Sequence, residues 1–331
     1  MSDVIKRAGS QRLQRSELAV PATSAQFFAK AAAGAADAIF LDLEDAVAPA
    51  RKDAAREAAV TALRDLDWGN KTMAVRINDL ETPWAYRDIV EIVAHAPRLD
   101  LILLPKTACA ADVQFLDRLI TMVERDIQRA RPIGIEVLIE TAMGVAHVEE
   151  IAASSPRLEA MIFGVGDYSV DMQTNDRVFG KVNPDYAMDS TGAAGGRSSH
   201  VNDQWHFALA RIANACRAYG LRPIDGPFTD YGDADAYRAS AVRSRALGFE
   251  GKWAIHPSQI EIANEVYSPA TEQVAWAQQI VDALDLSNKE GRGAVGVGKV
   301  LVDMAHYKVA SRIISRAQVI SSMQQSKGAG V

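Results

Sequence analysis

Short apolar runs alternate with amphipathic stretches along this chain, and several of the runs end in charged residues. Residues 158–163 form one such run, which is followed by two glycines and Asp167. A run of this length bounded by glycines is typical of a buried strand that ends at a sharp turn. Residues 133–139 lead in the same way to Glu140. The repetition predicts a ring of parallel strands whose charged ends gather at one rim.

Eight strand–helix alternations can be counted in about the first 255 residues. The predicted strands lie at 16–20, 37–43, 72–78, 99–104, 133–139, 158–163, 222–225 and 252–255. The helices that follow them are predicted at 24–33, 53–66, 83–95, 112–129, 145–153, 204–219, 234–247 and 258–266, with a further helix at 271–285. This count predicts a (β/α)8 TIM barrel with a C-terminal helical extension. A doubly wound sheet is the alternative, and it is less favoured because no G-x-G-x-x-G follows an early strand.

Three segments fall outside this regular alternation. Residues 1–14 are predicted to be a poorly ordered arm. Residues 170–202 are rich in Gly, Asn, Asp and Ser and predict a long loop that is functional or mobile. Residues 286–331 predict a glycine-rich linker and a helix over about 303–323. We therefore expect a catalytic barrel at 15–285 and an extension that contacts a neighbouring subunit.

Composition and charge narrow the class of protein. The chain has 331 residues, of which 48% are hydrophobic, and its net charge of −6 gives no support to nucleic-acid binding. Cys109 and Cys216 are far apart and lack the spacing of a metal site. The polar residues 1–15 have no apolar segment typical of a secretion signal, and no apolar run reaches membrane-spanning length. We therefore expect a cytoplasmic protein with no membrane partner.

Glu140 and Asp167 follow successive predicted strands. In a barrel, neighbouring strand ends lie side by side at the carboxyl-terminal face, where active sites are found. Carboxylate oxygens suit Mg²⁺ or Mn²⁺, with water and substrate completing the coordination. The sequence thus indicates a metal site, and the alternative is that each acid forms a salt bridge or caps a helix.

Other charged residues at the predicted rim leave two interpretations open. Arg76 lies inside an apolar strand, and it either clamps a carboxylate or carbonyl substrate or pairs with Glu44 or Asp45 across the barrel. Those two acids cap the following helix or hold metal-bound water. Lys106 reaches the substrate or pairs with an acid. His256 more often packs at a rim than acts in catalysis.

Seven stretches that contain these residues, in order along the chain, carry a family resemblance. They are 41–47 (LDLEDAV), 75–78 (VRIN), 104–106 (LPK), 139–141 (IET), 164–167 (GVGD), 225–228 (DGPF) and 252–257 (KWAIHP). They resemble the signature stretches of the HpcH/HpaI aldolase/citrate lyase family, in its citrate lyase β-subunit-like branch. Within it the likeness is greatest to the group of L-malyl-CoA/β-methylmalyl-CoA lyases. The resemblance covers about residues 15–323.

This resemblance implies a site with several assigned roles. It implies Mg²⁺ bound by Glu140 and Asp167, and Arg76 in contact with the glyoxylate portion of the substrate. It implies a homo-oligomer, either a trimer or a hexamer, in which Asp303 reaches the neighbouring subunit's site as the catalytic acid or base. The residues expected to bind substrate, with coenzyme A as part of it, are Arg76, Lys30, Gly166, Asp167, Ile255 and His256.

The implied reaction is reversible cleavage of a 3-hydroxyacyl-CoA, of the malyl-, β-methylmalyl- or citramalyl-CoA type, to an acyl-CoA and a 2-oxo acid such as glyoxylate. A malyl-CoA thioesterase on the same scaffold is one alternative, and a non-catalytic CoA or acyl-carrier binding homologue is another. The loop at 21–25 departs from the family pattern, because Ser24 stands where some relatives carry arginine. The acyl group is therefore left open.

Overall fold

A computed structural model describes residues 12–191, 196–289 and 291–328, and eight of its strands form a closed parallel barrel. The barrel strands are β1 (Ser16–Pro21), β2 (Ala38–Asp42), β3 (Thr72–Arg76), β4 (Leu101–Leu104), β5 (Gly134–Ile139), β6 (Leu158–Phe163), β9 (Arg222–Asp225) and β10 (Gly251–Ala254). The pairing of β1 with both β2 and β10 closes the ring. This closure confirms the predicted TIM barrel and excludes an open doubly wound sheet.

Helices connect the strands on the outside of the barrel. Their bounds are α1 (Phe28–Ala33), α2 (Lys52–Asp65), α3 (Ala85–His95), α4 (Ala110–Asp126), α5 (Ala142–Ala146), α6 (Val148–Ala153), α7 (Val165–Asp171), α8 (His206–Tyr219), α9 (Ala234–Ala246) and α10 (Ile260–Val266). The helix α3 buries an apolar face that includes Ile89, Ile92 and Val93. Among the described helices, none has the length and apolar character needed to cross a bilayer.

The barrel interior is stratified into polar and apolar layers. Its middle is an apolar cluster of Phe40, Ala74, Leu101, Leu103, Leu138, Ala160, Ile162, Ile224 and Trp253. Inward-facing residues on a strand are two positions apart. The inward residues just before and just after the apolar cluster therefore lie nearer the two ends of the barrel. At the carboxyl end these positions include Asp42 and Arg76. The apolar middle therefore separates this end from the opposite one.

The amino-terminal end of the barrel holds a buried ionic network. Gln14 donates to Glu17 at 3.0 Å and to Glu136 at 2.8 Å, and Arg222 lies 3.4 Å from Glu136 and 3.2 Å from Glu159. Burial and the neighbouring Glu136 raise the pKa of Glu17 well above its usual range. A buried ion network of this kind fills space and closes this end of the barrel.

The segment between β6 and α8 is more regular than expected. The prediction of a long loop over 170–202 is wrong in part, because β7 (Ala187–Thr191) and β8 (Arg197–Val201) form an antiparallel hairpin in which Ala187 pairs with Val201. The start of the segment belongs to α7. Its Gly-rich centre, 192–195, lies outside the described residues, as do 1–11 of the predicted arm.

The chain divides into two compact units between Asn264 and Glu265, whereas the predicted domain boundary follows residue 285. The second unit contains α11 (Thr271–Lys289), the hairpin of β11 (Val295–Val297) with β12 (Val300–Val302), and α12 (Met304–Gly328). The hairpin occupies the stretch expected to be a glycine-rich linker. The unit has its own small core of Ala277, Ile280, Leu284, Val302 and Ala310.

Gly251 supplies a test of barrel closure. A Cβ at this position would lie 1.7 Å from the backbone oxygen of Gln14, at the seam between β1 and β10. We expect Gly251→Ala to lower the free energy of unfolding by about 2 kcal/mol or more, because backbone must move to accommodate the methyl group. Gly232→Ala is the matched control, since the nearest atom to its Cβ is 3.5 Å away. Urea unfolding measures both, and equal stability of the two variants would contradict the seam's tight packing.

Candidate active site

Charged side chains converge on a cavity of about 420 Å³ at the carboxyl ends of the barrel strands. Parallel strands of a barrel all end on this face, so residues at or just after their ends become neighbours whatever their distance in sequence. The cavity is lined by Ala19, Pro21, Phe40, Asp42, Asp45, Ala46, Arg76, Glu140, Gly164, Gly166, Asp167, Pro227, Trp253 and Ile255. The predicted metal ligands and the predicted arginine thus share one cavity.

Arg76 forms an ion pair with three acids. Its Nε and Nη2 atoms each donate to Asp42 at 2.7 Å, and Nη1 lies 3.0 Å from Glu44 and 3.2 Å from Asp45. The guanidinium also lies 5.8 Å from the ring centre of Trp253. Although burial disfavours its charged form, Asp42 raises the pKa of Arg76. The expected pairing with Glu44 and Asp45 is present, and contact with substrate stays a prediction.

Asp42 is a site residue that the sequence analysis missed. It is the register partner of Arg76 between β2 and β3, and it also accepts hydrogen bonds from the backbone of Glu44 at 2.9 Å and Ala46 at 3.3 Å. Burial alone would raise its pKa, but Arg76 and these N–H groups hold the pKa of Asp42 below its usual value. The sequence feature that could have identified Asp42 as inward-facing is its spacing of two residues from Phe40, which faces the barrel interior.

Lys52 stabilises the loop after β2 through hydrogen bonds to its backbone. Its Nζ atom donates to the carbonyl oxygens of Leu43 at 2.8 Å and of Glu44 at 2.7 Å. Burial, with the neighbouring Asp45, raises the pKa of Glu44 to about 7 despite Arg76 and Lys106. Lys52 therefore fixes a loop that carries two acids into the cavity region.

Glu140 directly follows β5 and is buried. Its Oε1 atom accepts a hydrogen bond of 2.7 Å from the backbone N–H of Lys106. Burial, with Glu44 and Asp167, raises the pKa of Glu140 to about 8. A Cβ on Gly164 would lie 2.4 Å from Glu140 Oε2, so the carboxylate occupies space that only a glycine leaves open.

Asp167 and Lys106 face each other across the cavity region. Asp167 lies in the first turn of α7 with its side chain 42% exposed, and Gly166 beside it lines the cavity. Lys106 Nζ pairs with Glu44 and lies 3.7 Å from Asp45 and 3.8 Å from Asp167. Of the two roles predicted for Lys106, pairing with acids is therefore present.

The site holds more acid than base. Five carboxyl groups are near three cations, and the sets are Asp42, Glu44, Asp45, Glu140 and Asp167 against Lys52, Arg76 and Lys106. Within the described residues, no group of three His, Cys, Asp or Glu side chains is arranged to enclose a metal. Mg²⁺ is commonly held by one or two carboxylates, with water and substrate as its other ligands. The donor set of Glu140 and Asp167 fits this type of ion.

Two residues expected to bind substrate are not among those that line the cavity, and their roles stay predictions. Lys30 is exposed in the last turn of α1. His256 is exposed, accepts a hydrogen bond from the Ser258 N–H at 3.2 Å and stacks on Tyr231 with ring centres 4.8 Å apart. Ile255, next to it in sequence, does line the cavity.

Asp303 belongs to the second compact unit, where it precedes α12. Its Oδ1 atom accepts from the Ala305 N–H at 3.0 Å and pairs with His306 Nδ1 at 2.8 Å. The hydrogen bond from His306 lowers the pKa of Asp303. The residue thus caps its helix as a carboxylate, and action on a neighbouring subunit stays a prediction.

The closed barrel and the acidic, arginine-containing cavity at its carboxyl end define a (β/α)8-barrel enzyme. Residues 15–257 match the model of the HpcH/HpaI aldolase/citrate lyase family, and the chain belongs to that family. This confirms the resemblance seen in the motifs. The protein is therefore an enzyme of the carbon–carbon lyase class.

Named relatives match along nearly the whole chain. The L-malyl-CoA/beta-methylmalyl-CoA lyase of Cereibacter sphaeroides is 45% identical over 323 residues, which cover 97% of this chain and 100% of the relative. The (3S)-malyl-CoA thioesterase of the same species is 32% identical, covering 94% of this chain and 97% of that relative. The solved structure of CitE from Mycobacterium tuberculosis with magnesium, acetoacetate and coenzyme A has a TM-score of 0.70 and 30% identity, covering 93% of this chain and 99% of that one.

The raised pKa of Glu140 predicts a pH-dependent stability in EDTA. The folded protein keeps a proton on Glu140 up to a pKa of about 8, whereas the unfolded chain releases it near 4.5. Raising the pH through this window should therefore lower the free energy of unfolding, on the order of 5 kcal/mol for this group. Urea unfolding at several pH values measures the slope. Glu140→Gln should reduce this slope. An unchanged slope in that variant would mean that another group is responsible for the pH dependence.

Proposed function

We propose that this protein is a Mg²⁺-dependent lyase that cleaves a 3-hydroxyacyl-CoA to an acyl-CoA and a 2-oxo acid such as glyoxylate, in a reversible Claisen-type reaction. The observation that carries the proposal is the meeting of Arg76 with Glu140 and Asp167 at one cavity. The 45% identity to a lyase of this type, over that relative's full length, supports the substrate class.

Glu140 and Asp167 are the proposed magnesium ligands. Their surroundings support this role, because burial, together with the neighbouring Glu44 and Asp167, raises the pKa of Glu140, and a divalent cation would relieve the repulsion between these carboxyl groups. When bound, Mg²⁺ supplies Lewis-acid polarisation of the oxo-acid oxygen. Glu44 and Asp45, which pair with Arg76 beside these ligands, would hold water bound to the ion.

Arg76 is the proposed recognition residue for the oxo acid. Its guanidinium is permanently charged and its donors point in fixed directions, so it can donate to a carboxylate in a defined geometry. Two of its nitrogen atoms are engaged by Asp42, which fixes the plane of the group, while Nη1 is directed toward the acids of the loop after β2. A substrate carboxylate would compete with Glu44 and Asp45 for that atom. Gly166 and Ile255, in the cavity lining, would contact the remaining substrate.

Asp303 of a neighbouring subunit is the proposed base, within a homo-oligomer that is a trimer or a hexamer. Its carboxylate removes the proton of the substrate hydroxyl group, and the C–C bond breaks to give the 2-oxo acid. The bonding electrons enter the thioester as an enolate, whose carbon then takes up a proton. Asp303 is an exposed carboxylate at the start of α12, the form that a proton acceptor requires.

A thioesterase is the second candidate. This candidate is supported by the 32% identity to a (3S)-malyl-CoA thioesterase, which covers 97% of that relative. The same cavity residues would then bind the acid while water attacks the thioester. The two reactions differ in products, because the thioesterase releases free CoA and keeps the carbon skeleton intact.

Product analysis tests the proposed reaction. We expect the purified protein with Mg²⁺ to convert malyl-CoA to acetyl-CoA and glyoxylate, and to join glyoxylate to one or more acyl-CoA thioesters from a panel, as measured by mass spectrometry. EDTA should abolish both reactions. The Glu140→Gln/Asp167→Asn double variant, which keeps side-chain size, is the control and should be inactive. Free CoA with malate would identify the thioesterase. If neither pair of products forms, the proposal of an enzyme of this substrate class is contradicted.

A subunit-mixing experiment tests the shared site. Glu140→Gln and Asp303→Ala proteins should each be nearly inactive alone. In randomly mixed oligomers, about one quarter of the sites would combine an intact barrel with an intact neighbouring Asp303, so part of the activity should return. Two affinity tags and native mass spectrometry verify the exchange. Mixed oligomers without activity would mean that Asp303 serves its own barrel or only caps its helix.

A further inference from the structure

Lys106 has a backbone conformation that lysine seldom adopts. Its φ angle is +48°, in the left-handed region that favours glycine. The residue lies in the turn after β4, at the rim of the barrel. Backbone strain of this kind persists where the surrounding structure needs the residue, and it is concentrated at functional sites. A glycine would adopt the turn without strain, so the lysine side chain itself calls for an explanation.

The conformation lets one residue contact both proposed magnesium ligands. The backbone N–H of Lys106 donates to Glu140 Oε1 at 2.7 Å, while its Nζ atom lies 3.8 Å from Asp167 Oδ1. The same ammonium group pairs with Glu44 and lies 3.7 Å from Asp45. Lys106 therefore places a positive charge beside the carboxylate groups that a divalent cation would neutralise.

We propose that Lys106 is a positioning residue for the metal, whose ammonium group neutralises Asp167, Glu44 and Asp45 in the metal-free enzyme and gives up Asp167 when Mg²⁺ binds. This inference rests on the proposed function. It follows from charge: the other cations of the cluster are engaged, Arg76 by Asp42 and Lys52 by backbone carbonyl oxygens. An ammonium group and a metal ion on the same carboxylate repel each other.

The replacement of Lys106 by Mg²⁺ beside Asp167 has two consequences, one for the metal-free enzyme and one for metal binding. Lys106 keeps the carboxylate groups close together before the metal arrives, which spares the reordering that repulsion would otherwise impose. It also weakens metal binding, because Mg²⁺ must displace a charge that is already in place. Loss of the charge at position 106 should thus lower stability without metal and tighten metal binding.

Isothermal titration calorimetry with Mg²⁺ alone tests the proposal. We expect Lys106→Met and Lys106→Gly to bind Mg²⁺ on the order of tenfold more tightly than the wild-type protein. Lys106→Arg retains the charge and should bind like wild type. The Met and Gly variants differ in backbone strain but share the loss of charge, so a common effect points to charge. Lys181→Met is the matched control, because Lys181 pairs with Asp233 at 3.1 Å and does not line the cavity.

Thermal unfolding supplies the second measurement. In EDTA, Lys106→Met should melt below wild type, and saturating Mg²⁺ should remove most of the difference. Equal or weaker Mg²⁺ binding in both the Met and Gly variants would overturn the role of Lys106 while leaving the proposed function intact. A wild-type protein that fails to bind Mg²⁺ would overturn both.

Discussion

The buried contact between Arg76 and Asp42 sets the chemistry of the cavity. These residues are register partners on adjacent strands, so their ion pair exists only while β2 and β3 keep their pairing. A buried guanidinium without such a partner would be strongly unfavourable, and the pair therefore links barrel register to site geometry. Asp42 also anchors the backbone of the following loop through Glu44 and Ala46. One interaction thus orients both the arginine and the acids around it.

Around this pair, five carboxyl groups crowd beside three cations, and Glu140 and Glu44 are buried among them. Burial and crowding raise the pKa of Glu140 to about 8 and that of Glu44 to about 7. Such crowding of carboxyl groups is unfavourable without a ligand. Strongly shifted pKa values of this kind are concentrated at functional sites. The folded protein tolerates it because the apolar layer beneath the cavity and the hydrogen bonds of the rim hold the carboxyl groups in place.

Much of this arrangement could be predicted from sequence. Apolar runs separated by helical stretches specify the barrel, and strand ends bring Glu140 and Asp167 to one face whatever their partners. Asp42 was missed because an acid inside a strand is identified as a site residue only when its inward direction and its partner Arg76 are known. The hairpin at 187–201 was missed because its polar composition resembles a loop. The substrate-binding roles of Lys30 and His256 were implied by the resemblance, and they stay predictions because the cavity lining does not include these residues.

The ionic network of Glu136 and Arg222, at the amino-terminal end of the barrel, has a kinetic consequence. In the part of the chain that the structure describes, this network and the packed apolar layer above it fill the barrel between the cavity and its amino-terminal end. A small molecule that bound at Arg76, as proposed, would have to leave by the mouth through which it entered, past any larger molecule bound there. Sites of this shape impose ordered kinetics, in which the innermost ligand binds first and departs last.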